Sequence, residues 1–293
     1  MQQVIIHIGF PRAGSTYLQN YFSLHPDVFY DGKLPGNYRL TGVVPDIIIP
    51  QNTNATHIVI SEEQFSVWNG NVDVVGVRFK LFDVAAHQQM TLKRLQELFP
   101  QSRILIITRG FKETVISMYA QYIKVGGVLK FSAFQKEYAV ALGEFYNYDR
   151  LIEYAQQIFG EQKVLVLPFE LLQESPGKFL REIETEFDLQ PQLMTNEKMN
   201  ASLNEGEVVS YRKISSVVFS AISWLPYGWQ KTIYGSYVWL LYQGRLNGLQ
   251  KVFSEKAEEK KDVAEETLLS FKGKAERLLR LPQFSPYRKA YQI

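Results

Sequence analysis

The chain opens on an apolar run, Val4-Ile5-Ile6-His7-Ile8, that passes at once into Gly9-Phe10-Pro11-Arg12-Ala13-Gly14-Ser15-Thr16 and then into Leu18, Tyr21 and Phe22 at helical spacing. A buried strand that hands over through Gly and Pro to Ser/Thr and an apolar-periodic stretch predicts strand, tight loop and a helix over about 15–24. Backbone N–H groups at such a helix start converge on one point, and anions bind there. Residues 25–54 hold four prolines and many Gly, Asn and Asp with little periodicity, which predicts a long irregular connection bordering a site. The run 57–61 (HIVIS) reads as a buried parallel strand that delivers Glu62 and Glu63 at its carboxyl end. A strand is expected within 73–81 and a helix over 88–99, closed by Pro100.

The strand pattern is clearest at 103–108 (RILIIT), which ends in Arg109-Gly110 before a helix over 112–124 that Gly126-Gly127 stops. Helices follow at 132–142 and 149–159, then a strand at 164–167 ending in Pro168-Phe169-Glu170, then a helix over 176–187. Strands alternating with helices through residue 190 predict an α/β fold: a P-loop-like parallel sheet flanked by helices. Ligands in such sheets bind at the carboxyl ends of the strands. Beyond residue 205 the pattern turns helical and aromatic, at 215–225 and 233–241, with Trp224, Trp229 and Trp239, and neither run reaches the roughly 18 apolar residues of a membrane span. Two readings stay open for it: a helical pair packed on the core, or a surface that meets lipid or stacks sugar rings. A charged amphipathic helix is expected over 255–281. The chain therefore divides into a core over 1–205 and a helical C-terminal extension over 206–293.

Composition narrows the partners. The 293 residues are 46% hydrophobic, enough for a full core, and 32 basic against 30 acidic residues leave a formal charge of +2, without the basic excess of a nucleic-acid binder. There is no cysteine, so disulfides, thiol nucleophiles and thiolate metal sites are excluded together. The chain begins directly in its first strand, which predicts a cytoplasmic protein, with the inner face of a membrane as its one peripheral contact through the aromatic section. On that reading the N-x-S/T matches at Asn54 and Asn200 are accidental.

The first loop departs from a Walker A loop in an informative way. Gly9 to Thr16 spells G-F-P-R-A-G-S-T, with Ser15 where the lysine for the β- and γ-phosphates belongs and the cation moved to Arg12. No strand ends in the Asp that would hold Mg²⁺, so no metal site is expected and a metal-free anion transfer fits better than a nucleoside triphosphatase. Arg109 at a strand end and Ser117, eight residues on in the next helix, supply a forked cation and a hydroxyl that can meet on a further phosphate.

Together, Pro11-Arg12-Ala13-Gly14-Ser15-Thr16-x-Leu18 and Arg109-x7-Ser117 resemble the sulfotransferases that use 3'-phosphoadenosine 5'-phosphosulfate (PAPS). The stretches Ser61-Glu62-Glu63, 117–127, 164–172 and Met199-Asn200-Ala201-Ser202-Leu203 are similar to bacterial, carbohydrate-type members. The resemblance implies that residues 11–16 hold the 5'-phosphosulfate, that Arg109 and Ser117 hold the 3'-phosphate, and that 3',5'-bisphosphoadenosine is the product. It implies an acceptor hydroxyl or amine on a glycan or glycolipid. Where the family usually carries Lys, this chain carries Arg12, whose planar fork replaces a point charge in the catalytic role.

The acceptor hydroxyl needs a base, and Glu62 is the first candidate because it follows a strand that opens into the same crevice; the alternative is that Glu62 or Glu63 caps the next turn. His57 and His25 are the fallback bases. Glu170 is expected to pair structurally, and Arg212-Lys213 either adds charge near the 3'-phosphate or is solvated. The rival functions are a nucleotide or small-molecule kinase and a non-catalytic glycan- or membrane-binding module.

Overall fold

The computed structural model describes residues 2–30, 44, 54–67, 72–73, 75–79, 82–192, 203–243 and 262–293. Its centre is a five-stranded sheet in the order β2-β3-β1-β6-β7, built from β1 (Gln3–Gly9), β2 (Val28–Tyr30), β3 (His57–Ser61), β6 (Arg103–Thr108) and β7 (Val164–Pro168). Every pairing in it is parallel. Ile5, Ile6 and Ile8 of β1 and Ile104 to Ile107 of β6 are fully buried, as strands covered on both faces must be. This is the P-loop-like α/β sheet that the alternation of patterns predicts.

The register fixes where chemistry can occur. Gly9 pairs with Ile107, His7 with Ser61 and Thr108 with Pro168, so β1, β3, β6 and β7 all end along one edge. Chain order reverses across β1, with β2 and β3 on one side and β6 and β7 on the other. The crevice of such a sheet lies at that reversal, outside the carboxyl ends. The segments that leave the sheet there are the loop 10–14, Glu62-Glu63 and Arg109-Gly110.

Helices flank the sheet: α1 (Ser15–Leu24), α2 (Val84–Leu98), α3 (Phe111–Lys124), α4 (Phe131–Phe145), α5 (Tyr148–Phe159), α6 (Phe169–Glu174) and α7 (Pro176–Phe187). Helix α2 starts four residues before the expected 88, because the Asp83 side chain accepts from Ala86 N and caps it there. Helix α3 ends as its glycines require: Gly126 adopts φ 96°, and Gly127 N donates back to Tyr122 O at 2.8 Å.

Three expectations change. The connection 25–54 contains β2, which pairs with β3, and of its remainder residues 31–43 and 45–53 lie outside the described set. The expected strand at 73–81 is instead an antiparallel pair, β4 (Val72–Asp73) and β5 (Arg78–Phe79), because Gly76 and Val77 both take positive φ and turn the chain between them. The described part of the expected helix at 255–281 is helical as α10 (Glu265–Leu269) and then turns at Gly273, φ 73°. The turn drives Phe271, Ala275 and Leu278 into the core.

The aromatic section forms a helical hairpin, α8 (Glu205–Ile222) and α9 (Tyr227–Tyr242). A capping box between Asn204 and Glu207 starts α8, whose Val208, Tyr211 and Ile214 are buried. Tyr234 of α9 donates to Gly126 O, fastening the hairpin to the end of α3. No helix among the described residues is long and apolar enough to cross a membrane. The last element, α11 (Arg288–Tyr291), buries Tyr291 beneath β6.

Phe111 joins these layers. It is fully buried, stacked on Tyr148 at 5.3 Å and on Phe271 at 4.6 Å. Phe111→Ala should cost about 3–5 kcal/mol, read as a lower urea midpoint with an unchanged slope.

Candidate active site

The loop after β1 is held in a conformation that most side chains avoid. Arg12 has φ 69° and Gly14 φ 87°, and Ala13 N donates to Phe10 O at 3.1 Å, giving a tight turn into α1. A non-glycine residue at positive φ carries strain and persists only where its surroundings hold it. Three bonds hold this one. Arg12 Nε donates to Ser117 Oγ at 3.0 Å, Arg109 Nη1 donates to Arg12 O at 2.8 Å, and Tyr146 OH donates to Pro11 O at 3.1 Å. The two elements singled out in the sequence are therefore bonded directly to each other, through Arg12.

Glycine is required on both sides of the loop. A Cβ on Gly9 would fall 2.2 Å from Ser15 Oγ, and one on Gly14 would meet the Phe169 ring at 2.8 Å. Ser15 is buried, and its Oγ makes no well-formed hydrogen bond. Helix α1 has no side-chain cap and no acidic residue in its first turn. The N–H groups at Ser15 and Thr16, and the positive end of the helix, thus face the crevice beside Arg12.

Arg109 sits where β6 ends. Its backbone is clasped by Tyr148 OH, which accepts from Arg109 N and donates to Arg109 O, and its guanidinium lies over the Phe169 ring at 4.8 Å. Its Nε is buried without a hydrogen-bond partner. Burial pulls the Arg109 pKa down from its usual value, and the Arg12 cation pushes the same way, while Glu170 opposes both. Glu170 has the structural pairing expected of it: one oxygen accepts from Gly110 N at 2.8 Å and the other from Tyr291 OH at 2.7 Å. Ser117 is buried on α3, and Arg212 on α8 has a buried Nε without a partner.

The carboxylates after β3 separate into two environments. Glu62 Oε1 accepts from Gln64 N at 3.2 Å, capping the short helical turn Glu63–Phe65. Glu63 lies beside Ser15 and Arg12. Burial pushes the Glu63 carboxyl up from its ordinary value, with Ser15 and Arg12 offsetting part of the rise and Glu62 adding to it.

Both fallback histidines lie elsewhere. His57 begins β3, about 13 Å of strand from its carboxyl end, and its Nδ1 lies 2.8 Å from Thr56 Oγ1. His25 precedes β2 and uses both ring nitrogens, on Gln190 O and Asp27 N. The histidine that does approach the site went unremarked in the sequence. His7 is fully buried in β1, with Nδ1 2.7 Å from Ser61 Oγ, and burial depresses its pKa to about 3, so it stays neutral. A polar residue in an otherwise apolar buried strand was its signal. Tyr146, Tyr148 and Tyr291 carry no such signal, because their hydroxyls act through hydrogen bonds formed only in the fold.

A donor-rich site of this kind, with two guanidinia, a helix start and no competing side-chain cap, is suited to an anionic phosphate or sulfate group. The profile of the Sulfotransferase family matches residues 4–192, which span the loop, Glu62-Glu63, Arg109 and Ser117. The chain belongs to the sulfotransferase family. Comparison with curated proteins by sequence gives no match. Among solved structures, this sulfotransferase is similar to the sulfotransferase from Alicyclobacillus acidocaldarius, at 13% identity and a TM-score of 0.51, over 79% of this chain and 99% of that one. It also aligns with mouse sulfotransferase SULT7A1 complexed with PAP, at 13% identity and a TM-score of 0.43, over 99% of this chain and 88% of that one. The family match ends before the α8–α9 hairpin, which belongs to the remaining third of this sulfotransferase.

The Glu63 environment makes a stability prediction. A carboxyl whose folded pKa is raised binds its proton more tightly folded than unfolded, so stability is lost as pH rises above the ordinary 4.5. Glu63→Gln removes that loss. Thermal midpoints of wild type and Glu63→Gln should lie closest below pH 4.5, the variant gaining on wild type as pH approaches neutrality.

Proposed function

We propose that this sulfotransferase transfers the sulfuryl group of PAPS to a hydroxyl or amine of a glycan or glycolipid by in-line displacement. The observation that carries the proposal is the Arg12 junction. One residue joins the helix-start loop to Arg109 and Ser117, while Arg109 Nε remains buried without a partner. Unsatisfied buried donors are costly. A ligand with an anionic oxygen beside Arg109 would supply the missing acceptor.

Residues 11–16 would hold the phosphosulfate, and Arg109 with Ser117 the 3'-phosphate. When bound, PAPS supplies a sulfuryl group on a phosphate leaving group. In-line transfer of that group to the acceptor's oxygen or nitrogen would leave negative charge on the departing phosphate oxygen. Arg12 and the N–H groups of Ser15 and Thr16 stabilise that charge, being fixed before the reaction begins. Holding both reactants in line contributes further, by removing the entropy of their encounter.

The acceptor proton goes to a carboxylate at the end of β3. Glu63 is the better placed of the pair, since it sits against Ser15 and Arg12 with a raised pKa, whereas Glu62 binds the backbone of its own turn. A base whose pKa moves toward neutrality is more effective at neutral pH. His7, with Ser61 and Gln19, holds the strand end from which both glutamates project.

Calorimetry with 3',5'-bisphosphoadenosine in the absence of Mg²⁺ should show saturable binding, with none for ATP. Arg109→Ala should weaken that binding about 10- to 100-fold. Mg²⁺-dependent ATP binding in its place would overturn the assignment. With labelled PAPS and a panel of acceptors, Glu63→Gln should leave bisphosphate affinity intact and lower turnover about 10²- to 10⁴-fold. Glu62→Gln should do much less, and the opposite pattern returns the base to Glu62.

A further inference from the structure

Helix α9 is apolar on both sides. Tyr234, Tyr237 and Leu241 face the core, and the opposite side presents Trp229, Ile233, Ser236 and Leu240 at i, i+4, i+7 and i+11. Exposure reaches 79% at Trp224, 66% at Trp229, 52% at Trp239 and 62% at Tyr242. Among the described residues, every exposed Trp and Tyr lies on this hairpin. Among the described residues nothing lies within 4 Å of where a Cβ would stand on Gly228 or Gly235. A helix that exposes large apolar side chains opposite its core-facing side offers a surface that protein or lipid can cover.

Three observations favour lipid. The first is the polar groups of the outer face, which are already satisfied within the hairpin. Thr232 Oγ1 donates to Gly228 O, Ser236 Oγ to Thr232 O and Trp224 Nε1 to Ala221 O, while Gln230 Nε2 covers Ser223 O and Leu225 O. A surface that binds sugars keeps its donors and acceptors available; a surface that enters a low-dielectric layer closes them on itself. The second is charge. Lys231 is exposed near the tip and no Asp or Glu occurs from Val208 to Gln243, the hairpin's acids, Glu205 and Glu207, standing at the far, capped start of α8; the tip thus complements an anionic headgroup layer. Asp73, the acid that meets the hairpin tip, is engaged as the acceptor for Tyr227 OH. The third is residue type: Trp and Tyr, with an apolar body and a polar edge, favour the membrane–water interface. At 16 residues α9 is too short to span, so the hairpin lies in the interface.

We infer that the hairpin 205–243 docks this sulfotransferase onto the interfacial layer of an anionic bilayer, with Trp224, Tyr227 and Trp229 at its tip and Lys231 among the headgroups. Helix α8 packs on α3, which carries Ser117, so the docking hairpin rests on an element of the site. In choosing a lipid-linked acceptor over a free glycan, the inference rests on the proposed sulfuryl transfer; the docking itself does not.

The test is flotation of the full chain with vesicles of phosphatidylcholine, with and without phosphatidylglycerol, and with indole emission recorded. Wild type should float with the anionic vesicles and shift its emission to the blue. Trp224→Ala/Trp229→Ala should reduce the floated fraction about tenfold, and Lys231→Glu should reduce it on anionic vesicles in particular. Bisphosphoadenosine calorimetry on the same samples reports that each variant is folded. Wild type that ignores vesicles of either composition overturns the inference, as does a double variant that floats like wild type. A wild-type dimer dispersed by the Trp substitutions, without vesicle binding, assigns the face to a second copy of the chain and likewise overturns it. Vesicle binding without bisphosphate binding would instead remove the proposed reaction and leave the docking surface standing.

Discussion

Everything at the site depends on Arg12 being held at φ 69° while its side chain bonds Ser117 and its carbonyl accepts from Arg109. Strain at a positive φ is of the order of 1–3 kcal/mol, comparable to the strength of one or two hydrogen bonds to charged groups. The three bonds to the loop offset it, and in doing so they bind the β1 loop to the end of β6 and the middle of α3. A loop closed only on itself would position one anionic group. A loop tied to β6 and α3 positions two, at a separation set by the sheet.

The support beneath this junction comes from distant parts of the chain. Glu170, at the end of β7, accepts from Gly110 N and from Tyr291 OH, and Tyr291 OH also meets Thr108 Oγ1. Tyr148 closes on both backbone groups of Arg109. Segments separated by more than a hundred residues thus fix the strand end from which Arg109 projects. Tyr148 and Tyr291 are fully buried, and burial raises their pKa values, so their hydroxyls keep the protons that they donate.

Much of this was legible in the sequence, and the failures have physical causes. Strands β3 and β6 and helices α1 and α7 fall where the apolar pattern places them, because a parallel sheet buried on both faces writes continuous apolar runs and its helices write a clear period. The pairing of the loop with Arg109 and Ser117 was legible because the loop and Arg109 each follow a strand directly and Ser117 lies about two turns into the next helix. Its form was not: the contact between Arg12 Nε and Ser117 Oγ depends on a left-handed residue that carries no marker in the sequence. The hairpin β4–β5 was read as one strand because Val77 is an unusual residue for positive φ. The division of labour between Glu62 and Glu63 turns on which side chain curls back onto Gln64 N, a choice that spacing does not encode.

The exchange of lysine for arginine at position 12 then has a structural meaning. An ammonium concentrates its donors on one atom, whereas a guanidinium distributes five N–H groups around a plane. Here Nε is committed to Ser117, so part of the side chain serves as scaffold while its charge stays beside Ser15 and Glu63. The arrangement also brings two cations together, since Arg109 donates to the backbone of Arg12 and the Arg12 cation disfavours the charge of Arg109. Glu170 offsets part of that repulsion, and an anionic ligand would offset more. Binding of an anionic ligand there would draw on fixed positive potential that folding has already assembled.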